Sequence, residues 1–218
     1  MKKLIILAAV LLVGCSSTQL VSNWKNPDIV LFDAYKVLVV GMTQNEDVRL
    51  DFENKLVREF DKRGIDAMRS LDLFDVKFTS SERSEEELSE VEDQLLEKDF
   101  DAILFTKILG SENKQTLRTK LSNIEGYYDM FREDYLSNQG IYREDERYDT
   151  YTVFHAETAL YCICVGKERQ LIWKGAIDIT DPKDLKKSTS DYVKLVVLAM
   201  EAQDLIFHKK IKNEITGL

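Results

Sequence analysis

Seven residues constrain this chain more than any others: Tyr35-Lys-Val-Leu-Val-Val-Gly41, a nearly continuous apolar run within the stretch from Asp33 to Met42. A half-exposed strand alternates apolar and polar positions, whereas a strand covered on both faces reads as an unbroken apolar run. The run therefore predicts a buried strand in a sheet with helices on both sides. Thr43 and Glu46 offer a capping box just after it. Val48, Phe52, Leu56 and Phe60 then recur every four residues, with Val57 widening the stripe, which predicts an amphipathic helix. Gly64 is its expected C-cap. Ile65 to Arg69 makes a short second strand and completes a β-α-β unit.

The pattern repeats. Ser84 and Glu87 form another potential capping box, and Leu88, Val91, Leu95 and Leu96 another apolar stripe. Asp101 to Leu109 reads as the next strand. The acidic cluster Glu82, Glu85 to Glu87, Glu90, Glu92 and Asp93 falls at helical spacing and is expected as a solvated face. After Gly110 the pattern changes. Thr150 to Val165 and Leu171 to Ile179, separated by the polar turn Lys167-Glu-Arg-Gln170, predict a long antiparallel hairpin. Asp181-Pro182 breaks the second strand. A last helix is expected from about Ser190 to Ile211, burying Val193, Val196, Val197, Met200 and Phe207. The predicted fold class is α/β: one domain over 31–218, a mixed sheet, a βαβαβ half followed by antiparallel strands and a C-terminal helix.

One stretch fits no element. Ser122 to Tyr151 is rich in tyrosine and charge and poor in aliphatic residues, with no clear period. An irregular insertion of this length is either a mobile hairpin extension or a functional segment. Tyr127, Tyr128, Phe131, Tyr135, Tyr142 and Tyr148 are its candidate partner-binding residues, because aromatic side chains with polar tips favour interfaces. Arg132, Arg143 and Arg147 would fork onto carboxylates.

The N-terminus predicts export. Lys2 and Lys3 precede an apolar stretch from Leu4 to Val13, about half the roughly 20 residues that span a bilayer, so 1–14 reads as a signal peptide. Leu12-Val13-Gly14-Cys15 resembles the lipobox of bacterial lipoproteins. That resemblance implies a diacylglyceryl group on the Cys15 sulfur, cleavage before Cys15, and a further acyl chain such as palmitate on the freed amine. Two chains anchor stably where one does not. Ser16 follows, with no acidic residue before Asp28, which implies an outer-membrane destination facing the periplasm. Residues 15–30 are expected as the lipidated cysteine and a polar tether.

Cleavage would leave 204 residues. Losing Lys2 and Lys3 from the 30 basic residues leaves 28 against 39 acidic ones, a formal charge of −11. So acidic a domain, with no basic stripe, argues against nucleic acid and against docking on anionic lipid. Membrane attachment must come from acyl chains. Cys162 and Cys164 are expected as two small buried residues with free thiols on one strand face. With only His155 and His208 as histidines, no metal site is expected, and no cofactor. Val40-Gly-Met-Thr43 sits where a phosphate loop would but has one glycine and no Gly-Lys-Ser/Thr. There is no Gly-x-Ser-x-Gly elbow and no His-Glu-x-x-His. His155 is expected as a structural histidine.

Ser22-Asn-Trp-Lys-Asn-Pro27, the strand Tyr35 to Gly41, and Leu171-Ile-Trp-Lys-Gly175 with Asp181-Pro182 downstream together resemble a group of envelope lipoproteins of Bacteroidetes-like bacteria. In that group a Trp-Pro tether precedes a small α/β domain, and a late strand carries a Leu-x-Trp-x-Gly-like pattern. The order of elements also resembles the TolB amino-terminal domain and the lipoproteins that activate penicillin-binding proteins, which concerns topology only. The reading this supports is a non-catalytic binding or scaffold module for an envelope protein partner. A hydrolase-like envelope enzyme is the alternative, and a small-ligand or peptide binder lies between them.

Overall fold

The apolar run becomes a central strand. A computed structural model describes residues 18–74, 76–109, 130–143, 153–163, 170–180, 182 and 184–205. Its strands are β1 (Thr18–Lys25), β2 (Lys36–Met42), β3 (Asp66–Arg69), β4 (Ala102–Ile108), β5 (Val153–Cys162) and β6 (Gln170–Thr180). They form one mixed sheet in the order β1-β6-β5-β4-β2-β3. β2 pairs in parallel with β3 and β4, while β4, β5, β6 and β1 run antiparallel in succession. The helices are α1 (Glu46–Arg63), the short α2 (Ser70–Leu73) and α3 (Val76–Ser80), α4 (Glu85–Glu97), α5 (Phe131–Asn138) and α6 (Leu185–Glu201). The chain is an α/β fold of the predicted kind.

Both faces of the sheet are covered, which is why β2 needs apolar side chains at both parities. Val37 and Val39 face α1 and α6, meeting Phe52, Leu56, Phe60, Val193, Val196 and Met200. Leu38 and Val40 face the other way, toward Leu88 and Leu95 of α4 and Phe131 and Tyr135 of α5. Chain ends are closed as the residue types dictate. Gly64 adopts φ 71° beyond α1, where a Cβ would be strained. Ser84 and Glu87 complete the predicted capping box of α4. At α1 the cap is instead Asn45, which accepts from Val48 N–H at 3.1 Å, so the Thr43/Glu46 box does not form.

Several expectations are corrected. Thr18–Lys25, read as part of a tether, is the edge strand β1 on β6. A register shift between Leu20 and Ser22 sends Leu20 toward one core and Trp24 toward the other. That bulge breaks the period-two signal that would have marked a strand. α6 begins at Leu185 behind the cap Asp184, five residues earlier than expected; Phe207 lies outside the described residues. Glu92, assigned to a solvated face, is buried. Cys162 is disulfide-bonded rather than free; its partner cysteine lies outside the described residues.

Candidate binding site

A site arises where β2 ends. Gly41, its penultimate residue, lets α1 approach closely: a Cβ there would sit 3.1 Å from the Phe52 ring and 3.4 Å from Arg49 Cγ. Glu53 of α1, fully buried, holds the approach. Its Oε1 accepts from Gly41 N–H at 2.9 Å, Arg49 Nε at 3.1 Å and Ser70 Oγ at 2.7 Å, and Oε2 from Leu71 N–H at 3.2 Å. A buried carboxylate with this many donors is well satisfied, and Arg49 balances its charge. From this end of β2 the chain leaves by α1 on one face to reach β3. It returns through α4 on the other face to reach β4. β2 and β4 therefore flank a topological switch point, the crevice where open α/β sheets bind ligands.

On the α1/α6 side that crevice is a cavity of about 560 Å³, within the range of pockets that bury small molecules. Its floor is Thr106, Ile108, Phe154, Ala156 and Ile179; its walls are Val48 and Phe52 of α1 and Leu185, Ser188, Thr189 and Tyr192 of α6. Asn45 and Leu185 are exposed at the mouth, and Tyr192, Phe52 and Ala156 are buried at depth. The described lining holds no charged side chain. Its deep hydroxyls satisfy one another: Thr106 Oγ1 lies 2.7 Å from Thr158 Oγ1, which lies 2.7 Å from the Tyr192 hydroxyl. Burial raises the Tyr192 pKa, so the phenol stays neutral. The arrangement suits an apolar, uncharged group.

Ionisable groups gather on the opposite face, because neighbours on a strand point to opposite sides. His155, between the cavity residues Phe154 and Ala156, places Nδ1 2.6 Å from Oδ1 of its cross-strand partner Asp178. Both are buried. Beside it, Glu157 lies 2.9 Å from Lys107 Nζ through one oxygen and 2.9 Å from Lys174 Nζ through the other. Lys107 also contacts Asp134 of α5, which accepts from Tyr161 OH at 2.7 Å and Asn138 Nδ2 at 2.9 Å. Burial opposes charge on both Lys107 and Glu157. Their mutual attraction, with Asp134 and Lys174 adding to it, outweighs that, raising the Lys107 pKa and lowering that of Glu157.

Of the aromatic candidates, the three described ones are not displayed. Phe131 and Tyr135 are buried and Tyr142 partly buried, packing on Phe105, Tyr161 and Phe78. Arg49 stacks over the Tyr142 ring, 5.3 Å from its centroid, and burial pushes the Tyr135 hydroxyl up to about 12. Tyr127, Tyr128, Tyr148 and the lipid-attachment candidate Cys15 lie outside the described residues. Basic side chains, scattered in the sequence, do collect: Lys55, Arg58, Lys62, Arg63 and Lys194 line a groove between α1 and α6. There Glu59 pairs with Lys62 and Arg63, and Glu201 with Arg63.

No family model and no curated protein matches this chain. Among solved structures it is similar to a PelC dodecamer from Paraburkholderia phytofirmans, at 11% identity and a TM-score of 0.43, over 83% of this chain and 95% of that one. It is also similar to the lipoprotein GNA1162 from Neisseria meningitidis, at 11% identity and a TM-score of 0.37, over 78% of this chain and 95% of that one. At these values no residue role passes from those proteins to this chain.

Proposed function

We propose that this chain is a lipid-anchored, non-catalytic binding module of the bacterial envelope, held at the outer membrane through Cys15 and facing the periplasm. It engages an envelope partner or ligand through the switch-point cavity. The cavity itself carries the reading: a pocket of about 560 Å³ at the strand ends, its described lining made of apolar groups and uncharged polar ones, the deepest three hydroxyls bonded to one another. Such a lining holds an apolar group by exclusion of water, and among the described residues it presents no acidic or basic side chain to transform it. His155 and the lysine–carboxylate ladder face away from it.

The test places a photo-crosslinking amino acid at Leu185, on the cavity mouth, and as control at Tyr35, which is 80% exposed at the opposite end of β2. Irradiation of intact cells should give discrete adducts from position 185 and none from 35. Adducts from 35 alone, or turnover of a substrate by the purified protein, would sink the proposal.

A further inference from the structure

We infer that the cavity takes a single acyl chain of a membrane phospholipid, entering from the bilayer to which the domain is tethered. This rests on the lipid-anchor reading of Cys15 and specifies the ligand of the proposed site.

The lining favours a chain of methylenes over a polar or charged group. Its described residues carry no charge, and its depth is bounded by Phe52, Ala156 and the closed hydroxyl chain ending at Tyr192. Those three hydroxyls already bond to one another. Position supplies the second argument. β1 runs antiparallel to β6, and its first residue, Thr18, is in register with Ile179 on the cavity floor. The start of β1, the end of β6 and the carboxyl ends of β2 and β4 therefore lie at one end of the sheet. Three residues from Cys15 to Thr18 reach at most about 10 Å even when extended. A lipid on Cys15 thus holds this end, and the cavity mouth with it, against the membrane. Leu185, 51% exposed at that mouth, is an apolar contact for the bilayer surface. Each methylene moved from water into such a site would contribute alike, but one moved from the bilayer core contributes little. The site therefore selects chains whose packing is already strained or exposed, as at a membrane defect.

The full-length lipoprotein is purified and reconstituted in phosphatidylethanolamine vesicles carrying a trace of phospholipid with a diazirine on one acyl chain. After irradiation, mass spectrometry should find that lipid on peptides covering Val48, Ile179 and Ser188. Val48→Trp, at the rim, and Ser188→Phe, on the wall, each fill the cavity. With melting temperature retained in at least one of them, labelling there should fall about tenfold, the change that ~1.4 kcal/mol of lost binding produces. A second arm offers diazirine-bearing palmitate in solution to protein without vesicles. Labelling only outside the cavity in both arms overturns the inference. Labelling unaltered by both filling variants overturns it equally. Failure of the protein to carry lipid at Cys15, with palmitate still labelling the cavity, overturns the anchor reading and leaves acyl-chain binding standing.

Discussion

Trp173 and Gly175 show how single residues set this structure. They sit two apart on β6, on one face, and the Trp173 ring lies directly over the glycine: a Cβ at 175 would stand 2.7 Å from Trp173 Cζ2 and closer still to Cη2. The Trp-x-Gly spacing, noticed in the sequence only as a likeness, is thus a packing requirement. Gly175→Ala should displace a fully buried indole and destabilise the domain by roughly 1–3 kcal/mol, read from urea denaturation with tryptophan fluorescence. Glu157 acts through charge. Its folded pKa lies below the ordinary 4.5, so its contribution is present above pH 4.5 and is lost as pH falls through the folded value. Lys107, raised above 10.5, contributes below pH 10.5, and that contribution is lost as pH rises through its folded value. Glu157→Gln leaves two buried lysines short of a partner, an expected loss of about 3–5 kcal/mol at neutral pH. Stability measured from pH 3 to 7 should also fall less steeply toward acid in the variant. Parallel pH profiles would show that Glu157 is not ionised in the folded protein.

Among the elements, α5 is the one most differently understood once seen. A segment of tyrosines, charges and few aliphatics suggested a surface, yet Phe131 and Tyr135 close the second core over Phe105 and Tyr161. Asp134, between them, is fully buried against Lys107 and Tyr161. Replacing 126–149 with a Gly/Ser linker should therefore collapse the melting transition rather than spare it. Phe131→Ala alone should cost about 3–5 kcal/mol. A linker variant that melts like the parent would return these aromatics to the surface. β1 makes the complementary point: a polar stretch with one bulge completes the sheet, its Asn26 N–H donating to Ile172 carbonyl at 2.9 Å just beyond the strand.

For the whole molecule the question is attachment. Cys15→Ser should leave an unprocessed or mislocalised precursor that incorporates no labelled fatty acid. A variant that still fractionates with the outer membrane and carries label would dismiss the lipobox reading. The disulfide at Cys162 adds an independent check, since thiol titration of unfolded, unreduced protein should not find that residue free. Export to an oxidising compartment and a stable disulfide go together.

The sequence by itself determined β2 to β6, α1, α4 and α6 in their order, because helix and strand periods, caps and turns are local, while β1, α5 and the short α2 and α3 carry no such signal. The apolar run of β2, the four-residue stripe of α1, the Ser84/Glu87 box and the β5-β6 hairpin are each legible within a few adjacent residues. Only the tertiary structure decided what those elements bring together. Lys107 meets Glu157 because two strands far apart in the chain, β4 and β5, pair in one register, and His155 meets Asp178 because the register within the hairpin sets them opposite each other. Thr106, Thr158 and Tyr192 carry no motif; they become one hydroxyl chain only when α6 crosses β4 and β5. The cavity likewise belongs to no segment. It lies where α1 and α6 meet the carboxyl ends of β2 and β4, and a gap between packed elements has no signature in the residues that border it.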